Sequence, residues 1–122
     1  MGVGTTAGPL GTLGPPLYET WKNAEDAVRK MFAGVSKAFD TPYGRRIVDC
    51  FSGRVAREVK YGAQTLSSFI ENQIAKDIWL LESGVVDSVE WHFFKSAVSN
   101  TGGPSDSLLA ALLNAGFTVI FH

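Results

Sequence analysis

Asp49, Glu58 and Lys60 lie on two short apolar runs, Arg46-Ile-Val-Asp49-Cys-Phe51 and Arg54-Val-Ala-Arg-Glu58-Val-Lys60, separated by Ser52-Gly53. Ser-Gly between β-prone segments signals a two-residue hairpin turn. With that turn Phe51 faces Arg54 and Asp49 faces Ala56, which makes Glu58 the diagonal neighbour of Asp49. Side chains alternate faces along a strand, so Ala56, Glu58 and Lys60 are expected to project with Asp49, and Val48, Cys50, Val55 and Val59 the other way. Two carboxylates and an ammonium then converge over one small residue.

Diagonal neighbours across an antiparallel pair are about 7 to 8 Å apart at Cα, within reach of long side chains. Two carboxylates brought to ~4 Å would repel by about 4 kcal/mol at an effective dielectric of 20. The pair therefore needs a cation. Lys60 supplies one, but oxygen ligands with no His or Cys beside them also suit Mg²⁺ or Mn²⁺, with the remaining positions left to water and phosphate. An ion so held polarises a phosphoryl oxygen and acidifies a bound water, and Lys60 would orient that water or stabilise charge building on the phosphate. The plainer reading of the same three residues is a salt-bridged, solvated sheet face.

At 122 residues with 45% hydrophobic content the chain is expected to form one globular domain, burying about two thirds of the surface that its unfolded form exposes. A net charge of −1 is low for a nucleic-acid binder. Arg45, Arg46, Arg54, Arg57 and Lys60 cluster around the hairpin, however, and are expected to supply a local basic footprint. One cysteine rules out an internal disulfide, and with two histidines there are too few ligands for a structural zinc site. No run approaches the ~18 apolar residues of a membrane span. Met1 to Pro16 lacks the basic start and continuous apolar stretch of a secretory signal.

The elements that must hold the hairpin follow from periodicity. Residues 1–16, rich in Gly and Pro, read as a linker suited to a domain cut from something longer, with residues 17–122 as the domain. The Gly-Val-Gly start lacks the preceding strand and the glycine spacing of a phosphate loop. Trp21, Ala24, Val28, Met31, Phe32 and Val35 predict a helix from Tyr18 to about Phe39, with Gly34 as a candidate stop. Leu66, Phe69, Ile70, Ile74, Ile78 and Leu81 predict a second helix ending near Gly84. Val85 to Ala97 reads as strand and Asn100 to Pro104 as loop. A third helix, Ser107 to Ala115, is capped by Ser105 or Asp106 and stopped by Gly116, and Phe117 to Phe121 reads as the last strand. Helix, two or three strands, helix, strand, helix, strand implies an α/β domain with a mixed central sheet flanked by helices.

An acidic residue on one strand followed by Glu-x-Lys on the next resembles the PD-(D/E)XK nucleases of the restriction-endonuclease-like fold, with Val48 where the family name has Pro. A longer resemblance covers roughly the last two thirds of the chain. Ala56-Arg-Glu-Val-Lys-Tyr-Gly62, Gln73-Ile-Ala-Lys-Asp77, Val89-Glu-Trp-His-Phe-Phe94, Gly103-Pro-Ser105 and Val119-Ile-Phe-His122 look like a toxin domain at the C-terminus of bacterial polymorphic toxins. The resemblance implies an αβββαβαβ core and a Mg²⁺-dependent (or Mn²⁺-dependent) nuclease, with DNA favoured over RNA as substrate. It implies delivery as part of a larger secreted effector, action in the target-cell cytoplasm and neutralisation by a cognate immunity protein.

On that resemblance Asp49 and Glu58 hold the metal, aided by Glu25 and the Val59 carbonyl, and Lys60 positions the attacking water. Glu25 sits beside the apolar stripe of the first helix, where an acid is either metal-bound or a plain boundary residue. Gln73 and Asp77 interrupt the stripe of the second helix. Gln73 is a candidate for orienting the phosphate, with Lys76 touching the backbone nearby, against the duller alternative of a residue bridging the core. His92 projects with Glu90 and Phe94, opposite Trp91 and Phe93; it is a candidate substrate contact or acid, or a hydrogen-bonded structural histidine. Cys50 and the three aromatics read as packing. A non-catalytic protein-binding module is the alternative of a different class.

Overall fold

The computed structural model describes residues 20–122; the expected linker and the expected helix start at Tyr18 lie outside the described residues. The first helix, α1 (Trp21–Phe32), begins where the Thr20 side chain accepts a hydrogen bond from the Asn23 N–H, satisfying a donor the helix itself leaves unpaired. Its buried face is narrow, Ala24 and Val28 one turn apart. Trp21 and Met31, both expected on the apolar stripe, remain largely exposed.

The helix stops seven residues before the expected Phe39. Ala33 takes a left-handed conformation and its N–H folds back on the carbonyls of Arg29 and Lys30, after which Gly34 passes against Cys50 and Phe51. An added Cβ on Gly34 would run into the Cys50 sulfur and the Phe51 carbonyl. Val35, expected to continue the helix, instead opens strand β1 (Val35–Thr41), followed by β2 (Gly44–Ser52) and β3 (Val55–Tyr61). The short β4 (Ala63–Gln64) leads into α2 (Ser68–Glu82), then β5 (Ser88–Phe94), the short β6 (Gly103–Pro104), α3 (Asp106–Asn114) and β7 (Thr118–Phe121). Ser67 and Ser105 cap the two later helices through their hydroxyls, so Ser105 rather than Asp106 is the cap.

The main sheet has the order β1-β2-β3-β5-β7, antiparallel between β1, β2 and β3 and parallel from β3 to β5 to β7. β4 and β6 form a separate two-stranded parallel pair. Each parallel neighbour is reached through a helical crossover, and the inner strand β5 is buried along nearly its whole length, as expected when both sheet faces are covered. One face packs Val48, Ala56, Val89, Trp91 and Phe93 against Ile70, Ile74 and Leu80 of α2 and Leu108 and Leu112 of α3. The other packs Cys50, Val59 and Phe94 against Ala24 and Val28 of α1. The domain is thus α/β with a mixed five-stranded sheet between helices.

The hairpin turn lies one residue later than expected, so each β2 residue meets a β3 partner two residues further on. Ser52 pairs with Val55, Phe51 with Ala56 and Cys50 with Arg57, so the turn is Gly53-Arg54, both with positive φ (57° and 60°). Two left-handed residues match the twist of the flanking strands better than Ser52-Gly53 would. Arg54 is held there by its side chain, which donates to Asp87 and to the Gly84 carbonyl. Against β1, β2 also carries an irregularity: Val35 faces Phe51 but Lys37 faces Val48. One residue of β2 is thus extra, in or beside Asp49-Cys50, and face parity changes there. Val48, expected to share a face with Cys50, joins the core under α2, while Cys50 joins the one under α1.

Because Gly34 lies against Cys50, Gly34→Ala should lower unfolding stability by about 1 to 3 kcal/mol. In a Cys50→Ala background, where the sulfur is gone, the same substitution should cost measurably less. Urea unfolding of the four proteins checks both statements.

Candidate functional site

Central strand β3 carries Arg57, Glu58 and Lys60, charged side chains in a place where burial is costly unless each finds a partner. All three do. Arg57 turns to the α1 face, where it donates to Glu90 at 2.9 Å and lies over the Phe32 ring. Glu58 and Lys60 turn to the α2 face and bond to one another at 2.9 Å. No buried side-chain polar atom lacks a hydrogen-bond partner among the described residues.

The organising cation on the α2 face is Arg46 of β2, only 3% exposed. Its guanidinium donates through Nε and Nη2 to the two oxygens of Asp77 on α2, at 2.8 and 3.1 Å, and through Nη2 to Glu58 Oε1 at 3.0 Å. Trp91 Nε1 donates to the same Asp77 oxygen that Nη2 reaches. Burial pushes the Glu58 carboxyl up, but Arg46 and then Lys60 outweigh it, so Glu58 is held below its ordinary value. Arg46, Asp77, Glu58 and Lys60 thus form two cations and two anions in balance.

Asp49 is the carboxyl left over. β2 and β3 pair only as far as Cys50 and Arg57. Beyond that point the Asp49 side chain enters the gap, where Oδ2 accepts the Val59 N–H at 2.7 Å. One further step in the observed register sets Asp49 against Glu58, closer than the diagonal placement expected. The Glu58 charge therefore acts directly on the Asp49 carboxyl. Burial, then the Glu58 charge, pushes Asp49 up to about 8, and Glu25 adds to the rise.

These groups open into a cleft of about 340 Å³ lined by Arg45, Arg46, Ile47, Asp49, Glu58, Phe69, Gln73 and Lys76. Gln73, one of the two polar interruptions of α2, accepts from Lys60 Nζ at 2.8 Å through Oε1, and its Nε2 lies 3.4 Å from Glu58 Oε2. Lys76 donates to the Arg45 carbonyl at the rim. Glu25 is not among the cleft-lining side chains. It pairs with Arg29 at 3.6 Å, and Arg29 in turn donates to the Asp49 carbonyl at 2.9 Å. Burial raises the Glu25 carboxyl, and the Glu58 charge adds to it.

His92 is not brought to this site. It is buried on the α1 face, between Glu90 at 2.9 Å and His122 at 2.8 Å, with Phe32 against its ring. Burial lowers both histidines, so the substrate contact expected of His92 gives way to a structural network. The basic footprint expected around the hairpin is also largely consumed inside the protein. Arg46, Arg57 and Lys60 answer buried carboxylates, and Arg54 pairs with Asp87. Sequence reasoning counted Arg46 as a surface charge and missed it as the residue that holds Glu58; the signal was Asp77 on an apolar helix stripe, which called for a buried cation.

Among the described residues no group of three or more His, Cys, Asp or Glu side chains is arranged to hold a metal ion. Asp49, Glu58 and Gln73 line an open cleft, and the Lys60 ammonium, not itself among the lining residues, bonds to Glu58 and Gln73. No family model, curated protein or solved structure matches the chain.

The folded chain keeps a proton on Asp49 that the unfolded chain releases near pH 3.8. Raising the pH from there to about 8 should therefore lower stability in the absence of divalent cations. Asp49→Asn removes the titration and should flatten this slope, with its advantage over the native protein largest at pH 8 and absent near pH 4. Urea midpoints across the pH series, in chelator, check the sign.

Proposed function

We propose that this chain is a metal-dependent nuclease of the PD-(D/E)XK kind with the restriction-endonuclease-like fold, hydrolysing phosphodiester bonds, with DNA as the favoured substrate. The observation that carries the reading is the meeting of Asp49 and Glu58, from neighbouring strands, in one open cleft, with Lys60 bonded to Glu58. The order of helices and strands, with the antiparallel β1-β2-β3 followed by parallel β5 and β7, supports the same family assignment.

The donor set fits a hard divalent ion. Burial and the Glu58 charge push Asp49 up to about 8, and both candidate ligands are oxygen. Mg²⁺ is commonly held by one or two carboxylates, with water and substrate phosphate completing the shell, so two protein ligands suffice. Bound there, the ion would polarise a phosphoryl oxygen and lower the pKa of a water.

The protein's own part is placement. Arg46 holds one oxygen of Glu58, while Lys60 and Gln73 hold the other. Two of the three Lys60 N–H donors are used by Glu58 and Gln73, leaving the third for the attacking water or for charge on the phosphate. Val59 N–H fixes the Asp49 carboxyl. Glu25 acts from α1 through charge, and through Arg29 on the Asp49 backbone. The wider reading, a toxin domain of a secreted bacterial effector checked by an immunity protein, rests on the sequence resemblance alone.

Purified protein incubated with plasmid and, separately, with total RNA should degrade one of them in Mg²⁺ or Mn²⁺ and neither in EDTA. Lys60→Ala and Asp49→Asn should each lower the rate about 100-fold or more. Undiminished cleavage by Lys60→Ala would remove that residue from the mechanism, and inertness toward both nucleic acids and toward single-stranded DNA would favour a binding module.

A further inference from the structure

The walls of the cleft bear on what kind of strand it takes, an inference that rests on the nuclease reading. Phe69, in the first turn of α2, is 69% exposed and lines the cleft one helical turn before Gln73, with the Lys60 ammonium 5.8 Å from its ring centroid. Ile47 of β2, 56% exposed, lines the same cleft. Two large apolar side chains are thus left in water at the entrance to a polar site, although α2 has apolar packing available one residue away at Ile70. Arg45 and Lys76 supply positive charge in the same cleft. Arg45 has only a long, exposed pair with Asp40, at 3.6 Å, and Lys76 only a backbone carbonyl.

A duplex is gripped mainly through many phosphates, each neutralised by a free Lys or Arg. Around this cleft the cations other than Arg45 and Lys76 answer the protein's own carboxylates. An unpaired strand asks for less charge, since each exposed base offers a flat face for an aromatic ring. We propose that the cleft takes an unpaired nucleic-acid strand, with one base stacked on Phe69 beside Ile47 and the adjoining phosphates on Lys76 and Arg45. Stacking is indifferent to the sugar, so single-stranded DNA and unpaired RNA share this recognition.

The test is binding in EDTA, where no cleavage occurs, followed by fluorescence anisotropy of a labelled single-stranded DNA, the same sequence as unpaired RNA, and the DNA duplex. The single strands should bind at least tenfold tighter than the duplex, and Phe69→Ala should weaken them about tenfold while Phe69→Tyr does not. With two phosphates engaged, log affinity should fall against log salt with a slope near −1.4. A gap between the DNA and RNA arms would name the natural strand. Equal binding of duplex and single strand, or no change on Phe69→Ala, would overturn the proposal. Cleavage in Mg²⁺ alongside either of those results would leave the nuclease reading standing. Phe69-dependent strand binding without any cleavage would instead sink the nuclease reading and keep the binding site.

Discussion

A guanidinium buried between two carboxylates sets the terms for the α2 side of this domain. Arg46 joins β2 to α2 through Asp77 and to β3 through Glu58, with hydrogen bonds of 2.8 to 3.1 Å. Removing one member of such a set leaves an uncompensated charge in the core, at a cost of about 3 to 5 kcal/mol. Replacing the whole set by apolar residues would be far less costly, so stability alone is a weak reason to keep it. What the set achieves is position: it holds Glu58 ionised and oriented on a central strand, facing a cleft that an apolar core would close.

The balance of that set also determines the state of Asp49. With Arg46 and Lys60 engaged by Asp77 and Glu58, burial and then the Glu58 charge push Asp49 up to about 8. The extra residue in β2 and the early end of β2–β3 pairing are what admit the Asp49 side chain to the gap. A regular hairpin would have covered the Val59 N–H with backbone. Fold irregularity, buried charge and the adjoining carboxyls are in this sense one feature. The sheet's other face shows the contrast: Arg57, Glu90, His92 and His122 form a hydrogen-bonded chain in which a single carboxylate answers an arginine and a histidine.

Much of this was legible in the sequence because the signals were periodic or local. The α2 stripe, a cap at Ser105 or Asp106, the α/β order and the shared face of Glu58 and Lys60 followed from spacing, and Gln73 was marked as a polar break in that stripe. Asp49 was also identified, though from a turn misplaced by one residue and so a pairing register off by two. Three things were not legible. Val35 to Phe39 continues a helical spacing by chance, and only the left-handed Ala33 and the tight passage of Gly34 show why the chain turns to strand. The turn residues depend on backbone conformation at Gly53 and Arg54, which Ser-Gly does not specify. Whether an arginine is surface charge or core partner depends on what packs over it, so Arg46 and Arg57 read as a basic footprint until Asp77 and Glu90 were seen beside them.

The central claim is that Asp49 and Glu58 hold a proton where a divalent cation belongs. Calorimetric titration of the protein with Mn²⁺ at pH 7, repeated in buffers of different ionisation enthalpy, measures that exchange directly. The account predicts release of about one proton per ion bound, and no release from Asp49→Asn. Binding without proton release, or release undiminished in the Asp49→Asn protein, would contradict it.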